Sequence, residues 1–154
     1  MVKINDKAPG FSIPNQNGKI ISLQDFKGKW VVLYFYPKDD TPGCTIEAID
    51  FTSLKQEFKK LNTELLGASK DSQKSHCSFI EKQNLKITLL SDEEKTLAQA
   101  YGAWGQKKFM GREYMGMNRN TYLINPEGKI TFIWENVKAK DHAKSVLEKV
   151  QELI

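Results

Sequence analysis

The chain is 154 residues long, with 40% hydrophobic and 27% charged residues and a formal charge of +4, close to the averages for a globular domain that buries about two-thirds of its unfolded surface without staples. Its 23 basic residues are dispersed among 19 acidic ones, which reads as a mixed solvated surface with no nucleic-acid stripe, and no stretch nears the roughly 20 apolar residues of a membrane span. One domain over residues 1–154 is expected, in the cytosol because the N-terminus carries no apolar leader, with both cysteines reduced.

Residues 11–14 and 19–23 flank an Asn17-Gly18 turn, which predicts an N-terminal β-hairpin. Residues 30–36 form an uninterrupted apolar run, the pattern of a strand covered on both faces. Beyond it Ala48, Phe51, Leu54, Phe58 and Leu61 recur at spacings of three and four, predicting one helix with a buried stripe that Cys44 begins. Residues 64–69 read as a strand, 72–83 as a helix, 87–90 as a strand and about 93–101 as a further helix. Residues 102–118, rich in glycine, basic residues and methionine, read as a long loop. Residues 120–124 and 129–134 make a closing hairpin around Asn125-Pro126-Glu127-Gly128, and 142–153 a last amphipathic helix. Strands alternating with helices imply parallel neighbours, and the closing hairpin adds an antiparallel edge. The expected fold is α/β, a mixed central sheet sandwiched between helices.

Cys44 lies in Pro37-Lys38-Asp39-Asp40-Thr41-Pro42-Gly43-Cys44-Thr45, after the central strand and at the start of a helix. Aligned peptide dipoles put roughly half a positive charge at that end, and unpaired N–H groups there favour a thiolate, the reactive form of cysteine. In open α/β sheets, sites form at the carboxyl ends of central strands, where this segment falls. Thioredoxin-like redox proteins carry C-x-x-C at this place; Thr41 stands at its first position, which excludes simple dithiol exchange. Thr41 before Pro42 suits an N-cap whose hydroxyl accepts the Cys44 N–H, and the same hydroxyl is able to contact the thiolate or a substrate oxygen.

Pro37, Thr41 and Cys44 form a P-x-x-x-T-x-x-C pattern, and with it the chain resembles the peroxiredoxins. The run from Tyr36 to Glu47 is similar to the Q-type subgroup, also called bacterioferritin comigratory protein. Ala8-Pro9 with Phe11, Gly28-Lys29, Asp71-Ser72 with Ser75-His76, Leu90-Ser91-Asp92, Tyr101-Gly102, the segment around Arg119 and residues 137–147 extend the likeness over essentially the whole chain; Gly10 stands where aspartate is common. The resemblance implies a thioredoxin-like fold and a thiol-dependent peroxidase acting on hydrogen peroxide and small organic hydroperoxides. It implies no metal, haem or flavin cofactor, regeneration by thioredoxin or another thiol reductant, no nucleic-acid or membrane partner, and a monomer or weak homodimer. It makes Cys44 the peroxidatic thiol that becomes a sulfenic acid, Thr41 its hydroxyl partner, Arg119 the cation that favours the thiolate and orients the peroxide, and Pro37 the shield of the sulfur.

The subgroup's resolving cysteine, five residues after the peroxidatic one, is here Ile49, and the alternative position on the next helix matches Ile80. Cys77 lies three residues before Ile80, at the border of the His76, Phe79 and Ile80 stripe. Two routes stay open: Cys77 resolves after local unwinding at both cysteines, or an outside thiol reduces the sulfenic acid. His76 beside Cys77 is a weak metal pair, and His142 is expected to pack within the last helix. Lys107, Lys108 and Arg112 either face solvent or meet an acidic reductant or partner subunit, with Met110, Met115 and Met117 expected in the core. Rival readings are a disulfide oxidoreductase and a peroxide sensor or holdase in which oxidised Cys44 alters a binding surface.

Overall fold

In the computed structural model, which describes residues 2–154, the Asn17-Gly18 turn joins β1 (Ser12–Pro14) to β2 (Ile20–Ser22), with Gly18 at φ 79°. The apolar run becomes β3 (Trp30–Phe35), followed by α1 (Pro42–Ser53), α2 (Lys55–Lys60) and β4 (Thr63–Ser69). Next come α3 (Gln73–Gln83), β5 (Thr88–Ser91) and α4 (Thr96–Tyr101). The chain closes with β6 (Trp104–Phe109), β7 (Arg112–Met117), β8 (Thr121–Ile124), β9 (Ile130–Trp134) and α5 (His142–Leu153). The main sheet runs β5-β4-β3-β8-β9, with β3, β4 and β5 parallel and β8 and β9 antiparallel, the mixed α/β sandwich expected from the element order.

β3 is central because both its faces have somewhere to go. Val32 and Tyr34 meet Ala48, Phe51, Phe58, Phe79 and Val146 from the helices on one side, while Val31, Leu33 and Phe35 meet Leu97, Tyr101, Tyr122 and Ile130 on the other. Each such large apolar side chain contributes about 1.5–3 kcal/mol by leaving water. Tyr34 stacks on Phe51 of α1 with ring centroids 4.6 Å apart and crosses β4 at Gly67, where a Cβ would lie 2.8 Å from the tyrosine ring. A glycine in a buried strand is thus required for the ring that seats α1.

The N-terminal segment guards both edges of this sheet. Lys7 bridges to Lys129 beside β9, and Asn5 N donates to Ile130 O at 2.7 Å; at the opposite edge Asn15 bridges to Leu90, and Gln16 Oε1 accepts from Leu89 N at 3.1 Å.

Three elements differ from their expected form. The stripe predicted as one helix is two, broken at Leu54, because Ser53 Oγ donates to Ile49 O at 3.0 Å, a back-bond that bends helices, and Thr52 Oγ1 accepts from Lys86 N at 3.2 Å. α4 starts at Thr96, since the Asp92 carboxylate accepts from Leu97 N and Ala98 N and Lys95 takes a left-handed φ of 62°. The expected long loop at 102–118 is the β6–β7 hairpin. Met110 and Gly111 take φ values of 50° and 80°, the geometry of a two-residue hairpin turn usually announced by Asn-Gly, so the turn carried no sequence signal.

Candidate active site

Cys44 is the third residue of α1, behind Pro42, whose fixed φ suits a helix start and whose missing N–H leaves nothing unpaired there. It stands inside the positive end of the α1 dipole and is 2% exposed, packed with Tyr34 and Ala48. Arg119, in the short connection between β7 and β8, reaches it from the far side of the sequence. Arg119 Nη2 donates to Cys44 Sγ at 3.4 Å while Nη1 donates to Glu47 Oε1 at 2.8 Å. Gly43 admits the guanidinium, since a Cβ there would lie 3.2 Å from Nη2.

The backbone that carries Arg119 is fixed on both sides. Asn118 N donates to Ala103 O at 2.6 Å, Val137 N to Arg119 O at 2.9 Å, and Phe35 N to Asn120 O at 2.8 Å. The last bond belongs to the end of β3, the strand that leads to Cys44, so sulfur and guanidinium are registered through one sheet.

Glu47 is the functional residue that the sequence reading passed over, an acid in the apolar stripe one turn after Cys44. Its side chain is fully buried, with Oε1 on Arg119 and Oε2 without a hydrogen-bond partner among the described residues. Burial pushes its carboxyl up to about 7 from 4.5, against the pull of the Arg119 charge. The native state therefore keeps a proton that the unfolded chain releases above pH 4.5. By linkage, stability falls as pH rises from about 4.5 to about 7, by about 3 kcal/mol in all. Urea midpoints taken across that window should decline for the wild type, and Glu47→Gln should flatten the decline; an unchanged slope would remove Glu47 from this role.

The other expected residues fall as follows. Pro37 is half-buried just after β3 and ends the strand. Thr41 does not cap α1: its hydroxyl donates to Lys38 O at 2.8 Å, closing the turn in which Asp40 takes a φ of 58°, so its one proton is not on Cys44 Sγ. Cys77 is exposed on α3, its thiol donating to Gln16 O at 2.8 Å, and both cysteines are free. His76, its neighbour, is buried, so the two adjacent side chains point apart. His142 packs edge-on against Phe51 and Trp134 and bonds Thr121 Oγ1 at 2.8 Å through Nε2. Burial first, then the Arg119 charge, lowers it to about 4, so its imidazole is neutral near pH 7. Met117 is in the core as expected, whereas Met110 and Met115 stand on the surface because the hairpin projects from the body.

Residues 4–133 match the AhpC/TSA family. The chain is 45% identical over 152 residues to peroxiredoxin Bcp of Bacillus subtilis, covering 99% of this chain and 97% of that one. The chain belongs to the AhpC/TSA family of peroxiredoxins. Among solved structures this peroxiredoxin is similar to a variant of Xylella fastidiosa PrxQ, with a TM-score of 0.94 and 34% identity over 99% of this chain and 98% of that one. It is also similar to the bacterioferritin comigratory protein of Xanthomonas campestris, a structure bearing on alkyl peroxide reduction, with a TM-score of 0.89 and 38% identity over 93% and 91% of the two chains. Membership makes it a thiol peroxidase of thioredoxin-like fold, with a peroxide as substrate and a thiol as reductant. Among the described residues, no helix is long and apolar enough to cross a membrane.

Behind Cys44 the peroxiredoxin loop is clasped to α3. His76 Nδ1 lies 2.7 Å from Asp39 Oδ2 and its Nε2 lies 2.9 Å from Leu90 O. The ring thus bridges the Asp39 carboxylate to the Leu90 carbonyl, tying the loop before α1 to β5 through α3. The Asp39 carboxylate also accepts from Tyr36 Oη at 2.6 Å and Ser75 Oγ at 2.8 Å, and its backbone N donates to Asp71 Oδ2 at 2.9 Å. Four segments, the β3–α1 loop, the end of β4, α3 and β5, thus meet at the buried Asp39–His76 pair.

Proposed function

We propose that Cys44 is the peroxidatic residue, its thiolate attacking the terminal oxygen of hydrogen peroxide or a small organic hydroperoxide. The S–O bond forms as the O–O bond breaks, leaving a sulfenic acid on Cys44 and an alkoxide or hydroxide that takes a proton and departs as alcohol or water. The observation that carries this reading is the guanidinium of Arg119, held by buried Glu47 and donating to the sulfur. A fixed cation at that place favours the thiolate and meets the negative charge that develops on the departing oxygen. Thr41, once turned from Lys38 O, supplies a hydroxyl to the peroxide, and Pro37 shields the sulfur from bulk water.

Cys44 is only 2% exposed, too little for a protein thiol to reach its sulfur, so resolution requires the first turn of α1 to open. The sulfenic acid then condenses either with Cys77, which must leave Gln16 O, or with an external thiol such as thioredoxin; both release water. Intact mass after one equivalent of hydrogen peroxide, with a sulfenic acid trap in parallel, tests the scheme. Loss of two hydrogens without trapping assigns Cys77 as resolver, a trapped adduct at Cys44 assigns the external thiol, and no change removes the central step. Cys44→Ser should consume no peroxide, and sustained turnover of the wild type with reductant excludes a one-shot sensor.

A further inference from the structure

We propose that the β6–β7 hairpin is the docking surface for the protein thiol that reduces this peroxiredoxin, a partner whose apolar contact patch is ringed by carboxylates. The proposal rests on Cys44 being the peroxidatic centre. The hairpin displays Phe109, Met110, Tyr114 and Met115 at 66%, 87%, 48% and 56% exposure. Monomer surfaces rarely gather large apolar side chains in this way without a partner, and aromatic residues, methionine and arginine are the types that interface cores favour. Methionine adds adaptability to the contact.

Charge selects the partner. Lys107, Lys108 and Arg112 stand against a single acid, Glu113, which already accepts from Gln106 Nε2 at 2.7 Å. Among the described residues, neither Lys108 nor Arg112 has a carboxylate in salt-bridge range. Cross-strand pairing of Lys107 with Tyr114 and of Phe109 with Arg112 puts two cations and two aromatic rings on one face. A second copy of the same hairpin would meet it cation to cation, whereas an acidic rim would neutralise it.

Position selects the thiol reductant among acidic partners. The hairpin is rooted at buried Met117, two residues before Arg119. At its other root, Trp104 lies under Lys70, which follows β4, with the ammonium 5.9 Å from the ring centroid. That is the same carboxyl edge of the sheet from which β3 feeds Cys44. From Arg112 to Met117 the strand extends about 17 Å, so a small thiol at Cys44 touches none of the tip, while a folded domain of about 100 residues, with a radius of gyration of about 13 Å, spans both.

The test is steady-state peroxide reduction with thioredoxin as the varied protein thiol and dithiothreitol as a reductant that needs no docking face. Arg112→Glu, and separately Phe109→Ser with Met110→Ser, should each lower kcat/KM for thioredoxin by about tenfold while leaving the dithiothreitol-supported rate unchanged. Raising the salt should narrow the gap between the charge-reversed variant and the wild type. Unchanged thioredoxin kinetics in both variants, an equal loss with dithiothreitol, thioredoxin failing to reduce the wild type, or a wild-type dimer that the variants dissociate would each overturn the proposal. A wild type that consumes no peroxide with either reductant instead refutes the Cys44 reading.

Discussion

Arg119→Ala should lower the second-order rate constant for oxidation of Cys44 by hydrogen peroxide by roughly 10²–10³-fold, the usual effect of deleting one preorganised donor from a site where charge develops. The substitution removes the hydrogen bond to Sγ and leaves Glu47 without its cation. The protein should still fold, because a carboxyl already pushed up to about 7 by burial takes a proton once the cation is gone. Arg119→Lys should recover only part of the rate, since one ammonium does not reproduce a planar fork that reaches Oε1 and Sγ together. Stopped-flow fluorescence gives the rate and circular dichroism confirms the fold; a rate equal to wild type in folded Arg119→Ala would take Arg119 out of the chemistry.

Asp39→Ala should be the most destabilising single change near the site, by about 3–5 kcal/mol, because three donors share its carboxylate, the buried His76 Nδ1 first among them, and each donor left unmet costs about 1–3 kcal/mol. Tyr36 Oη and Ser75 Oγ lose an acceptor at the same stroke. Asp39→Asn, which keeps an acceptor oxygen but not the charge, should cost less. Replacing both partners, as in Asp39→Ala with His76→Phe, should cost less than the sum of the single changes, and a double-mutant cycle in urea measures that coupling. Strict additivity would mean that the pair does not clasp the loop to α3.

Much of this fold was legible because it depends on local pattern. β3 lies within an apolar run that no polar residue interrupts, and α5 runs over the residues that its periodicity marked. The missed hairpin turned on one residue, Met110, in a conformation that its side chain gives no reason to expect. Of the site, Cys44 was visible from its place between strand and helix, but Arg119 lies 75 positions away and came only through family resemblance. Asp39 and His76 are 37 positions apart and unremarkable in themselves; only the packing of α3 across the β3–α1 loop makes them a pair. Glu47 left a signal that physics could have used, a carboxylate where a buried stripe called for a hydrocarbon.

Residues 2–16, which contribute no group to the Cys44 site, matter for what happens between molecules. An open five-stranded sheet has two rims of unpaired amides and carbonyls, each a template for strand addition by a neighbouring chain. Here the rim at β9 is met by the backbone near Asn5 and Lys7, and that at β5 by Asn15 and the side-chain amide of Gln16. The same short segment thus denies both rims to other molecules, a safeguard against edge-to-edge aggregation during the opening proposed around Cys44.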